Sequence, residues 1–190
     1  MTRVRVAGLC LLVAGCLLAA GCQRPAATHP VARPARSSGA AAPGAAPVGI
    51  SIPAIGVDAP VVGVGLRSDG AMEVPAVDLA GWYELGPRPG DPGPAVIVGH
   101  VDSRKGPAVF YRLRQLHQGE RIVVRRAGGT TSSFTIETVE RQSKSALPVG
   151  RIWNRTTEPV LRLITCGGSF DRTSGHYRDN VIVYAGLSRP

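Results

Sequence analysis

From Val48 onward the chain reads as short apolar or alternating runs: VGISIPAI, APVVGVGL, GAMEVPA, PAVIVGH, RIVVRR, SSFTIETVE, PVLRLIT and NVIVYAG. Gly, Pro and Asp separate them. Apolar residues at every second position suit a half-buried strand, and many such strands between turn residues predict an all-β sandwich or barrel. One segment breaks the pattern. In AVFYRLRQL, residues 108–116, Val109, Phe110, Leu113 and Leu116 recur at helical spacing, which predicts a short helix or turn. GPRPGDPGP at 86–94 reads as loop, as does GGSFDRTSGHYRDN at 167–180 less its last residue or two.

The first 47 residues lack this alternation. MTRVR precedes VAGLCLLVAGCLLAAG, an uncharged apolar run over residues 6–21, in the layout of a secretory n-region and h-region. The protein is therefore expected outside the cytoplasm. The run is shorter than the roughly 20 residues of a spanning helix, and LLAAGC at 17–22 resembles a lipoprotein processing site. Two outcomes stay open, lipidation at Cys22 or an uncleaved anchor helix, and either tethers the chain outside a membrane. Residues 23–47, QRPAATHPVARPARSSGAAAPGAAP, hold too few large apolar side chains to offset ordering entropy and read as a flexible, semi-extended linker. The expected organisation is a signal peptide or anchor at 1–22, the linker at 23–47 and one globular domain at 48–190.

Charge changes this picture little. The formal net charge is +9, but residues 1–47 carry five arginines and no acid, which leaves 17 basic and 13 acidic residues beyond them. The domain's arginines are interspersed with acids, and no Lys/Arg run with interleaved aromatics appears, so nucleic acid is not an expected partner.

The cysteines carry the first chemical signal. Cys10, Cys16 and Cys22 lie in the leader, so Cys166 stands alone in the domain, after VLRLIT and before Gly167-Gly168. A lone cysteine can serve as a small buried hydrophobe. At the exit of a strand, beside glycines that admit a substrate backbone, it suits a nucleophile. An ordinary thiol is only slightly ionised near neutral pH, so that role needs a neighbouring base or cation. His29 falls in the linker, His117 follows the helical segment and His176 sits in the expected loop, whereas His100 ends PAVIVGH, with Asp102 placed to orient it. If residues 180–185 pair antiparallel with 160–165, Arg178 returns beside Cys166 and can stabilise an oxyanion; Arg172, in mid-loop, is the competitor.

His100, Cys166 and Arg178 in this order, with LITC before a glycine pair, resemble the sortase family of cysteine transpeptidases. The resemblance runs from about Ile50 to Ala185, and IPAIGVDAPVV, PAVIVGHVDSRKGPAVFYRL, LRLITCGG and YRDNVIVYA are similar to the class F group of high-G+C Gram-positive bacteria. Leu163, Ile164, Thr165 and Cys166 reproduce the family's Leu-X-Thr-Cys signature. The resemblance implies an eight-stranded β-barrel with short helices. It implies that Cys166 attacks the Thr–Gly carbonyl of an LPXTG-type sorting signal, and that an amine, typically on a cell-wall precursor, resolves the thioacyl-enzyme. His100 would serve as general acid and then base, Arg178 would steady the oxyanion, Thr165 would line the groove, and residues from about Gln142 to Pro159 would wall it. The implied partners are surface proteins bearing sorting signals and a peptidoglycan-type amine.

The leader departs from the single anchor helix usual in the family. No cofactor is implied, and no acidic cluster beside the groove wall points to the calcium activation of some members. Two rival readings remain. The L,D-transpeptidases place their histidine shortly before an S-x-G-C cysteine, whereas His100 precedes Cys166 by 66 positions. A tethered, non-catalytic wall-binding lipoprotein with a sortase-like barrel would carry an inert thiol.

Overall fold

The computed structural model describes residues 44–189, so the expected leader and most of the linker lie outside the described residues. Ten strands form: β1 (Pro47–Ile52), β2 (Val57–Val64), β3 (Ala80–Tyr83), β4 (Gly93–Val98), β5 (Asp102–Ser103), β6 (Gly106–Pro107), β7 (Arg121–Arg126), β8 (Thr131–Ser143), β9 (Pro159–Asp171) and β10 (His176–Leu187). Eight close into a barrel in the order β1-β2-β3-β4-β9-β10-β8-β7, while β5 and β6 pair as a two-stranded ribbon. Closure removes the open edges that would otherwise invite pairing with another chain. The last residues of the expected linker belong to this architecture: the Gly44 N–H donates to the Asp91 carboxylate at 3.0 Å, and the Ala127 N–H donates to the Ala46 carbonyl at 2.9 Å.

Alternation in the sequence becomes two faces. Ala95 and Ile97 of β4, Leu161 and Leu163 of β9, and Val181 and Val183 of β10 point into the barrel, where Ile50, Ile52 and Phe134 complete the core. Full burial of the valine, leucine, isoleucine and phenylalanine side chains among these contributes roughly 1.5–3 kcal/mol each. The intervening residues Val96, Ile182 and Tyr184 form a second apolar cluster on the outside. It is covered by Ile152 of the single helical turn α1 (Val149–Ile152), with Leu147 beside it. Thus the connection expected to wall a groove lies on the outer face of β4, β9 and β10.

Three expectations are corrected. Residues 167–180 are not a loop: β9 continues to Asp171, β10 begins at His176, and only residues 172–175 turn. The polar residues that read as loop instead build a tight hairpin. The Asp171 carboxylate accepts the Thr173 and Ser174 N–H groups at 2.9 and 3.4 Å, and Gly175 takes a φ of +71° as its N–H donates to the Asp171 carbonyl. Cys166 therefore sits within a strand rather than at its exit. The short helix or turn expected at 108–116, by contrast, does form, as turns ending in a 3-10 turn, Leu113–Gln115, and its apolar residues face inward, with Phe110 and Leu113 fully buried. GAMEVPA makes only an isolated bridge, Leu66 to Met72.

Candidate active site

Sheet register builds the site. β4 and β9 run parallel with Val98 opposite Ile164, and continuing each chain by two residues brings His100 level with Cys166. Two hydrogen bonds hold the chain at that point. The Gly99 N–H donates to the Ile164 carbonyl at 3.1 Å, and the buried Thr165 hydroxyl donates to the Gly99 carbonyl at 2.7 Å. The Phe110 N–H then donates to the His100 carbonyl at 3.0 Å, so the backbone on both sides of the imidazole is fixed. Gly99 is required there: a Cβ would lie 2.6 Å from the Phe110 ring and 2.7 Å from Val109.

On the other side of β9, β10 runs antiparallel with Asn180 opposite Cys166 and Val181 opposite Thr165. The ladder shifts between Tyr177 and Asp179: Tyr177 faces Phe170 while Asp179 faces Gly167. Gly168 takes a φ of +73° in this bulge, and a Cβ there would collide with the Asp179 carboxylate. The glycine pair thus serves strand pairing as well as lining the cavity beside Cys166, where the sequence alone suggested only access for a substrate backbone.

Two cavities open on Cys166, which is half-buried and is the one cysteine among the described residues. One, of about 550 Å³, is walled by Phe110, Tyr111, Val139, Thr165, Gly168 and Val181. The other, of about 620 Å³, is walled by His100, Ser103, Arg104, Lys144, Phe170 and His176. Val101, Asp102, Cys166 and Tyr177 face both. The Tyr177 hydroxyl donates to the Asp102 carboxylate at 2.5 Å, forming a bridge between β10 and the His100 segment at the boundary of the two spaces. That carboxylate, followed by burial, pushes Tyr177 up to about 12. Asp102, expected to orient His100, receives Tyr177 instead.

The expected residues are brought together unequally. His100 and Cys166 share one cavity, and Cys166 and Thr165 share the other, with Thr165's hydroxyl proton committed to Gly99. Arg178 lies in the bulge near the register partner of Cys166, but its side chain is 67% exposed and donates to the Asp171 carboxylate at 3.3 Å. Two turn N–H groups, with Arg178 adding less, hold Asp171 below the usual carboxylate range. Arg172 sits exposed in the hairpin turn.

The sequence reading missed three neighbours. His176 and Tyr177, assigned to a loop, line the site because the hairpin carries them back over it. Lys144 begins a 3-10 turn after β8 and its Nζ lies 3.5 Å from the Cys166 Sγ. No local motif marks that lysine; only the order of strands around the barrel brings it to the thiol.

The chain matches the family model described as "Sortase domain" over residues 50–188. No curated protein matches it. Among solved structures it is similar to sortase C-1 from Actinomyces oris, at 20% identity and a TM-score of 0.59 over 75% of this chain and 73% of that one. It is also similar to sortase C1 from Streptococcus suis, at 15% identity and a TM-score of 0.59 over 76% and 73% of the two chains. For sortase C1 from Streptococcus agalactiae the values are 17% and 0.58 over 75% and 67%. At these identities the structures speak for the fold, and the family match extends across nearly all of the described barrel. A closed eight-stranded barrel, one thiol among the described residues, on β9, and a histidine lining the same cavity thus accompany the family match: the chain belongs to the sortase family of cysteine transpeptidases.

Proposed function

We propose that the protein is a class F-like sortase that cleaves an LPXTG-type sorting signal between Thr and Gly and joins the freed acyl group to an amine. The observation that carries this reading is that His100 lines the same cavity as Cys166. In the first half-reaction the Cys166 sulfur bonds to the threonine carbonyl carbon, the C–N bond to glycine breaks, and His100 gives a proton to the leaving amine. An incoming amine then occupies the space the leaving amine vacated; His100 takes its proton, the new C–N bond forms and the sulfur departs. By microscopic reversibility one imidazole serves both steps.

The acyl half of the signal opens with the apolar pair Leu-Pro. The outer face of β4 and β9, where Val98 and Ile164 are only partly covered and Leu147 packs alongside, leads along the strand to Cys166 and suits it. Thr165 holds the backbone beside the nucleophile and contributes to the wall of the adjoining cavity. Arg178 acts on the developing oxyanion after exchanging its exposed contact with Asp171 for the substrate carbonyl, an exchange that a weak, solvated ion pair permits. The class assignment rests on the quoted sequence motifs. With a secretory leader ahead of it, the barrel works on the outer face of the cytoplasmic membrane, anchored by the N-terminal segment or by lipid on Cys22.

Incubating the purified full chain in mild detergent with a fluorogenic LPXTG peptide tests the reading. Cleavage accelerated by a primary amine, with a peptide–amine product, is the expected result; an intact peptide under all conditions contradicts it. The mass of the mature N-terminus decides between lipidation and retention of the leader.

A further inference from the structure

We infer that Lys144 is a further residue of the active site, whose ammonium pairs with the Cys166 thiolate in the resting enzyme. This rests on the reading of Cys166 as the nucleophile. The chain has two lysines against twenty arginines, and one of the two touches the sulfur.

Its placement is built into the sheet. β8 pairs with β10 up to Ser143, which faces Asp179, and β10 pairs with β9 at Asn180 opposite Cys166. Lys144 is the first residue to leave this ladder. The turn it opens is held by the Ser143 hydroxyl, which accepts the Ser145 N–H at 3.3 Å. A side chain rooted at a strand end reaches across one strand to the thiol with less freedom to lose than one on an open loop.

The surrounding charges leave this role to Lys144. The other ionisable groups facing the two cavities are His100, Asp102 and Arg104 from the β4–β5 connection, Tyr111 and Arg114 from the following turns, Glu140 and Arg141 from β8, and His176 and Tyr177 from β10. Several are already engaged: Arg141 meets Asp179 at 3.4 Å, Glu140 meets Arg151 at 2.9 Å, and Asp102 takes Tyr177; Arg178, which lines neither cavity, meets Asp171. Among the described residues no carboxylate lies within ion-pair distance of Lys144, and its contact is the sulfur itself. An unpaired cation against a thiol favours the anion that attacks. Acylation turns that anion into a neutral thioester and removes the partner, so the ammonium is released from the sulfur when an amine must approach.

The test measures alkylation of Cys166 by iodoacetamide in the full chain. It is read by mass spectrometry on the peptide bearing Cys166, because Cys10, Cys16 and Cys22 also carry thiols. Rates are compared for the native protein, Lys144→Gln and Lys144→Arg from pH 5.5 to 9.5 at low and high salt, with thermal melts showing that the barrel is intact. Lys144→Gln is expected to slow labelling about threefold to fivefold near neutral pH, the upper end of what one exposed ion pair contributes. The curves should converge at high pH, salt should narrow the gap, and Lys144→Arg should stay within about twofold of native. Equal rates for Lys144→Gln and native protein, a slowing that is uniform with pH and blind to salt, or an arginine variant as slow as the glutamine one would each overturn the inference. Iodoacetamide needs no sorting signal, so failure to cleave the peptide sinks the proposed substrate without touching this result.

Discussion

The β9–β10 pair has two halves built on different terms. In the inner half Leu161, Leu163, Val183 and Ala185 are fully buried, the ladder is continuous, and each residue's partner is fixed by which face it presents. In the outer half, from Cys166 to Asp171 and back to Asp179, side chains are half-buried or exposed, a glycine takes a positive φ and the register slips. The difference shows how a thiol can be positioned firmly yet remain reachable. The apolar half fixes the Cα position of Cys166, and the polar half supplies groups free to rearrange around it. Register in an apolar strand is costly to change, because a one-residue slip turns every buried side chain outward.

The largest effect that would break this contrast is chemical. Cys166→Ala is expected to abolish peptide cleavage while leaving the melting temperature nearly unchanged, measured by fluorogenic assay and calorimetry on the same sample. Arg178→Lys should lower kcat about 100-fold, because a point-charge ammonium cannot copy a planar donor fork at an oxyanion. A lysine variant at native rates would leave Arg178 as a partner of Asp171 only.

The inner half should respond in stability instead. Leu163→Ala removes a fully buried side chain between β4 and β10 and is expected to cost about 2–5 kcal/mol in urea unfolding. Thr165→Val keeps the shape but leaves the buried Gly99 carbonyl without its hydroxyl donor, for about 1–3 kcal/mol. Because Gly99 precedes His100, it should also lower kcat more than it raises KM.

The smallest effect lies in the Tyr177–Asp102 bridge. Tyr177 is raised from an ordinary 10.0 to about 12, so the bridge contributes fully below about pH 10 and is lost as pH rises through about 12. Absorbance titration near 295 nm should show one late-ionising tyrosine that Tyr177→Phe removes. A native protein whose tyrosines all ionise near 10 would mean that the bridge does not persist in solution.

The same contrast explains what was legible in the sequence. RIVVRR matches β7 residue for residue, and PAVIVG and VLRLIT contain the parallel pair that aligns His100 with Cys166, because burial imposes alternation that a reader can see. β3 escaped notice, since AGWY is four residues long with glycine inside it. The hairpin after Cys166 was hidden for the opposite reason: Gly168, Asp171 and Gly175 carry loop chemistry, but they spend it on one bulge and one turn. Asp102 illustrates a further limit. Spacing put it near His100, and only the folded hairpin brought Tyr177 to claim it. Lys144 is silent in sequence because its proximity to Cys166 depends on β8 and β9 flanking the same strand.

The most direct measurement is mass spectrometry of the full chain quenched in acid during turnover of an LPXTG peptide without added amine. The account predicts a hydroxylamine-labile adduct on the peptide containing Cys166, with the mass of the acyl fragment ending in threonine. Cleavage without any such adduct, or an adduct on a different side chain, would contradict it.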